Sequence, residues 1–289
     1  MRYLVKLLAV AWLAVCSVAL GHAARKVALV IGCNHYADTP LVASVLDAEQ
    51  MSAVLKDAGF TVWTMTDKAV DANGEVHPET YYPTKSNIVR QCGLWAGKDS
   101  LGKGDTILLY FSGHGLWKEG VDYLAPLDYG ELKPENLVSL IALYETLRGT
   151  GAENIVVITD TNRTLQGEYG SLTRTGDDVG KDETLTRMQL PAEGQRYAFL
   201  RSCMLGEHAY EDEGKGGYFT QALVAGLKGE ADGIDDSPRD GVVTVQKLFA
   251  YVRKVVRQHS RDNRRLQTPQ FICKGKIAEG IVLREGPVK

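Results

Sequence analysis

Four short runs in this chain are apolar or nearly so at consecutive positions, and they constrain its fold more than any other feature. Val27-Ala28-Leu29-Val30-Ile31 ends at Gly32, and Thr106 to Phe111, Asn154 to Ile158 and Tyr197 to Leu200 have the same character. Continuous runs of this length, without alternation, are what strands buried on both faces require. Thr61 to Met65 reads as a further strand. Between the runs the apolar spacing turns helical: Val45, Leu46, Met51, Val54 and Leu55 precede a stop at Gly59. Ser86 is placed to cap a helix through Ile88, Val89 and Leu94, and Leu137 to Leu147 is helical in rhythm. Two more helices are expected near Tyr218 to Leu227 and Val243 to Gln258. Strand and helix alternating at this spacing predict an α/β fold, its central sheet mostly parallel and covered on both faces.

The composition agrees with a packed domain. At 289 residues, 44% hydrophobic and 24% charged, with 9 Pro and 30 Gly, the chain is neither disordered, collagen-like nor a multi-span membrane protein. Five cysteines are too sparse for a disulfide-stapled scaffold. A net charge of -3 gives no reason to expect nucleic acid or an anionic membrane as partner.

The first residues carry a separate pattern. Arg2 and Lys6 precede an apolar run from Leu7 to Leu20 and then Gly21-His22-Ala23, which reads as a secretory signal peptide over 1–23. The expected mature chain, 24–289, is then secreted or periplasmic, with no membrane span after cleavage. An uncleaved anchor is the alternative, whereas a lipoprotein is disfavoured by the bulky Val15 before Cys16. Cys33, Cys92, Cys203 and Cys273 remain in the mature chain, to pair in one of three ways or to stand as buried thiols. One domain is expected: a larger part of about 24–166, an exposed linker of about 167–194 rich in Gly, Thr and charge, and a smaller part of about 195–289.

In open parallel sheets ligands bind beyond the carboxyl ends of the strands. Ser112-Gly113-His114-Gly115 and Asp160-Thr161-Asn162-Arg163 stand there. A histidine between two glycines has the accessible ring that a general base needs, although an ordinary surface histidine fits the same pattern.

With Lys26 to Gly32, Leu46-Asp47-Ala48, Asp105 to Gly115, Gly217 to Leu223, Asp240 to Thr244 and Gln267 to Gln270 taken in order, the chain resembles the caspase and metacaspase peptidases. The resemblance runs from Lys26 to about Leu283. It implies a caspase-like three-layer α/β sandwich and a Cys–His dyad at the strand ends, with no cofactor. It also locates a departure. The family's fourth strand ends in Asp-x-Cys, about 50 residues after the histidine; here the matching residue is Asn162. A carboxamide has no thiolate to offer, so the dyad is broken at its nucleophile. Cys203, in Ser202-Cys203-Met204-Leu205-Gly206, is the alternative nucleophile, but it lies far from the family spacing, and a buried strand-end thiol describes it as well.

The resemblance further implies a pocket for Arg or Lys formed by Asp47, Ser112 and Asp160, because opposed carboxylates invite a cation between them. Asp47 also fits a helix cap and Asp160 a strand end. The oxyanion donors would be the backbone N–H groups of Gly115 and Asn162. Asp232, Asp235, Asp236 and Asp240, with Gly233 and Gly241, hint at calcium, yet their spacing misses the EF-hand pattern and a solvated acidic loop is preferred. Arg253, Lys254, Arg257, Arg261, Arg264 and Arg265 form a basic stretch, read as the wet face of a helix, with contact to acidic partners as the functional alternative. Asn162-Arg163-Thr164 is a glycosylation sequon. Together these features predict an exported, inactive peptidase homologue that binds basic peptide or protein segments. The rival is an active cysteine endopeptidase using His114 and Cys203, and a scaffold without a peptide pocket is the third possibility.

Overall fold

The structure, a computed structural model, describes residues 23–95, 101–162, 191–274 and 280–286. The expected signal peptide before Ala23 and the expected linker up to residue 190 lie outside them. Five parallel strands form the body of the sheet: β1 (Lys26–Gly32), β2 (Thr61–Thr66), β3 (Thr106–Gly113), β7 (Asn154–Thr161) and β8 (Arg196–Arg201). Their order is β2-β1-β3-β7-β8, and β12 (Gln270–Lys274) closes the row antiparallel to β8. Here β7 and β8, from either side of residues 163–190, pair directly from Asn154 with Arg196 to Thr159 with Arg201. The two stretches therefore share one sheet.

Alternation along each strand assigns the two faces. Ala28, Val30, Leu108, Tyr110, Val156, Ile158, Ala198 and Leu200 meet α1 (Ser44–Asp57), α4 (Tyr218–Ala225) and α5 (Val245–Asp262). Leu29, Ile31, Leu109, Phe111, Val157 and Phe199 meet α2 (Lys85–Leu94) and α3 (Leu140–Arg148). This is a three-layer sandwich. All eight residues of both β3 and β7 are buried, as their unbroken apolar character requires. Each large side chain so enclosed contributes about 1.5–3 kcal/mol relative to exposure.

Several boundaries differ from expectation for local reasons. Thr84, not Ser86, caps α2, accepting a hydrogen bond from Asn87 N–H at 3.1 Å. Ser139 caps α3, so the helix starts at Leu140 and Leu137 lies before it. Val243 belongs to β11 (Val243–Thr244), paired with β13 (Val282–Arg284), and α5 begins after Thr244, whose side chain caps it. The polar stretch after β2 contains a helical turn, Pro78–Tyr81, where Tyr81 stacks on Trp63 with centroids 4.6 Å apart.

The hairpin of β4 (Gly115–Lys118) and β5 (Val121–Leu124), extended by β6 (Val138–Ser139), leaves the main sheet directly after His114. Arg201 ties it back: buried in β8, its guanidinium pairs with Asp122 at 2.5 Å and lies 4.5 Å over the Phe199 ring. The four cysteines from Cys33 onward stand as thiols, three of them buried. Among the described residues no helix is long and apolar enough to cross a membrane.

Candidate active site

The carboxyl ends of β3 and β7 set the site. Their register joins Ser112 to Asp160 and Gly113 to Thr161, so the chains leave the sheet side by side at His114 and Asn162. Gly115 must be small there. A Cβ on it would stand 2.9 Å from the Thr161 Cβ and 3.0 Å from the Asn162 carbonyl oxygen.

His114 is buried, and its Nε2 lies 2.6 Å from the Thr39 carbonyl oxygen. A carbonyl only accepts, so Nε2 carries the proton and Nδ1 is the basic nitrogen of the neutral ring. Tyr36 packs against the ring at 4.4 Å, while its hydroxyl accepts from His114 N–H at 3.0 Å and donates to the Ala125 carbonyl at 2.9 Å. Burial lowers the imidazole pKa, and the Thr39 contact opposes that shift. The segment bearing Thr39 is anchored by Asp67, which accepts from the N–H groups of Asn34 at 3.1 Å and His35 at 2.8 Å. The residue expected as base is thus held in one tautomer and one orientation.

Asn162 occupies the expected nucleophile position and is committed elsewhere. Its Oδ1 accepts a hydrogen bond from Ala209 N–H at 2.8 Å, tying the end of β7 to the loop that follows β8. Cys203, just past the end of β8, is fully buried, and its single S–H lies between two acceptors, the carbonyls of Thr161 at 3.3 Å and Glu207 at 3.4 Å from Sγ. The sequon's remaining residues, Arg163 and Thr164, lie outside the described residues.

The three expected pocket residues come together. Asp47, Ser112 and Asp160 line a cavity of about 50 Å³, with Asn162, Glu211 and Gly217 beside them. Asp47 lies in the first turn of α1 but does not cap it. Instead it accepts from Ser112 Oγ at 3.0 Å and from Gly217 N–H at 2.9 Å. Asp160 accepts from Thr220 Oγ1 at 2.7 Å, and Thr220 meets the Tyr110 hydroxyl at 2.5 Å. The hairpin of β9 (Glu211–Asp212) and β10 (Gly216–Gly217) closes over both aspartates. Only glycine fits there: a Cβ on Gly216 would lie 2.3 Å from Asp47 Oδ1, and one on Gly217 2.7 Å from Asp160 Oδ2.

Burial raises both aspartate pKa values. The neighbouring Asp160 charge adds to the rise at Asp47, while the Gly217 and Ser112 hydrogen bonds restrain it. At Asp160, hydrogen bonds from Thr220 and Ser202 restrain the rise, and Glu211 adds to it. Glu211 was not predicted as a pocket residue. The sequence signal for its role is the Gly216-Gly217 pair that folds it back over Asp47.

The acidic loop has its own cation. Lys247 Nζ sits among Asp232 Oδ1 at 3.0 Å, Asp240 Oδ1 at 2.7 Å, and the carbonyls of Pro238 at 2.8 Å and Val242 at 2.9 Å. Two carboxylates and two carbonyls around one centre are hard-cation ligands, and an ammonium fills that centre. Among the described residues no group of three or more His, Cys, Asp or Glu side chains is placed to hold a metal ion.

Comparison with known proteins agrees with this architecture. The model of the peptidase C14 family, described as the caspase domain, matches residues 25–276. A crystal structure of protein GSU0716 from Geobacter sulfurreducens is similar at a TM-score of 0.55 and 19% identity, covering 87% of this chain and 94% of that one. At that identity the likeness concerns the fold. No curated protein matches the chain.

Proposed function

Because the chain belongs to the caspase-domain family, a family of cysteine peptidases, we propose that it is a non-cleaving member that captures Arg- or Lys-containing peptide segments. The observation that carries this reading is Asn162: it stands at the nucleophile position, and its amide oxygen is bonded to Ala209 N–H. The rest of the site supports recognition. Two buried carboxylates held by neutral donors are costly to ionise unless a cation joins them, and a guanidinium supplies both the charge and a planar array of N–H donors. Glu211 at the rim adds a third carboxylate to the path of entry. His114 keeps the orientation of a base with no thiol at position 162 to deprotonate.

Export belongs to the same proposal, resting on the basic, apolar and small-residue pattern of residues 1–23. The competing peptidase reading requires the Cys203 thiol, which is buried with its one proton between two backbone carbonyls.

An Asn162→Cys variant beside the parent, both assayed on a fluorogenic Arg peptide, tests the proposal. The parent is expected to bind the peptide without hydrolysing it, and the variant to release fluorophore. Hydrolysis by the parent that disappears in Cys203→Ala would replace this reading with the peptidase one. Absence of peptide binding by the parent would remove the pocket.

A further inference from the structure

The exposed face of α5 carries Arg253, Lys254, Arg257 and Arg261. Among the described residues the helix's own ion pairs lie elsewhere, at Lys247 and His259. Arg253, Arg257 and Arg261 are four residues apart, so they form a row with a step of about 6 Å along the helix. An extended peptide presents side chains of one face every two residues, about 6.7 Å apart. The two repeats match closely over three positions.

A hollow of about 720 Å³ lies beside this row, floored by Phe249 and Phe271, whose rings are 5.1 Å apart. A second hollow, of about 800 Å³, shares Asp235, Lys254 and Gln258 with the first and leads to Glu230 and Asp236. Across the ridge of Lys254 and Gln258 the second hollow carries Glu230, Asp232, Asp235 and Asp236 with Arg239 and His259 among them, whereas the first is a cationic and aromatic trough along α5. It shares no lining residue with the strand-end cavity. On a chain with a net charge of -3, a cationic row without ion-pair partners among the described residues, beside an apolar floor, is a local feature and not a reflection of overall charge.

We infer that this trough docks an extended acidic segment of a partner protein, its carboxylates on alternate residues along Arg253, Arg257 and Arg261 and an apolar side chain on Phe249 and Phe271. Charge complementarity selects the acid, and the pitch selects the extended form. Asp235, which lines both hollows, disfavours nucleic acid. A polynucleotide is negative along its whole length and would meet Asp235 and Asp236, whereas a peptide sets its charge residue by residue.

The test uses the full chain and two fluorescein-labelled peptides, Glu-Val-Glu-Phe-Glu-Val-Glu and its block permutation Glu-Glu-Glu-Glu-Val-Phe-Val, with binding read by anisotropy. The alternating peptide is expected to bind more tightly than the permuted one. Arg253→Glu with Arg257→Glu is expected to weaken it at least ~10-fold, in line with a desolvated charge contact. The single, milder Arg257→Gln should cost about 3-fold, which keeps the test decisive if the double variant unfolds. Asp160→Asn should leave this affinity unchanged, so the result stands apart from the basic-peptide reading. Equal affinity for the two peptides, displacement by oligothymidylate at equal charge, or no binding at all would overturn the inference. So would self-association of the chain that the double variant abolishes, since the face would then belong to a second copy.

Discussion

Asp47 with Asp160 and Asp232 with Asp240 are two aspartate pairs assembled by the same fold, and they stand in opposite electrostatic states. The second pair grips Lys247, whose hydrogen bonds hold both carboxyls below their usual range. Burial works against the Lys247 charge, and the bonds to Asp240 and Asp232 outweigh it. The first pair is bonded by hydroxyls and backbone N–H groups, and burial drives both carboxyls upward. One pair has its cation built into the chain. Under the proposed function the other gains from a cation that comes from outside, and this difference, not the number of acids, sets the proposed recognition pocket apart from the structural clamp.

The comparison is broken or sharpened most strongly by binding. Asp160→Asn is expected to weaken capture of an Arg peptide by about 30-fold or more, since truncating one partner of a buried charged contact costs about 2–5 kcal/mol. Asp232→Asn should leave that affinity within about 2-fold. Equal losses in a calorimetric titration of both variants would show that the two pairs do not differ as argued.

Thermal unfolding should then separate the pairs by sign. Lys247→Met leaves Asp232 and Asp240 facing each other without their cation, and the midpoint should fall by several degrees. Asp160→Asn relieves a desolvated carboxyl and should hold or raise it. A fall of similar size in both variants would contradict the electrostatic assignment.

The pH dependence is expected to run in opposite directions. Asp47 and Asp160 have raised values in the fold, so their contribution to stability is complete below the unfolded carboxyl value, about 3.9, and is lost as pH rises through the raised values. Asp232 and Asp240 have lowered values, so theirs is present above about 3.9 and is lost as pH falls. Without peptide, the midpoint of the parent should drift down as pH rises, and Asp47→Asn with Asp160→Asn should flatten that drift. Peptide affinity should move the other way and increase with pH, because the cation needs the ionised pair. An affinity that is flat across this range would refute the pairing of guest cation and carboxylate.

The smallest effect is expected at Ser112. Its hydroxyl gives Asp47 one neutral hydrogen bond at 3.0 Å, worth about 1 kcal/mol net. Ser112→Ala should therefore lower Arg-peptide affinity about 5-fold, measured in the same titration.

Much of this site is legible in the residues themselves. The apolar runs ending at Phe111 and Ile158 announce buried strands, and the register of two parallel strands turns a 48-residue spacing into a neighbourhood for His114 and Asn162. Asp47, Ser112 and Asp160 follow from the family resemblance, which implies a pocket at those positions. Glu211 does not, because its place depends on a two-residue strand and on two glycines that let a hairpin approach Asp47 and Asp160. The bond from Ala209 N–H to Asn162 and the Lys247 clamp are equally out of reach. Each joins a side chain to a backbone or charge whose direction no spacing specifies.

The sequence by itself therefore determined the sheet, its buried strands and the absence of a thiol at position 162, because apolar periodicity and residue identity are local properties. Only the tertiary structure decided that Asp232 and Asp240 close on Lys247 while Asp47 and Asp160 close on neutral donors. The reason is physical: the state of a carboxylate depends on burial and on which charges stand within a few ångströms, and those are set by packing between segments distant in the chain.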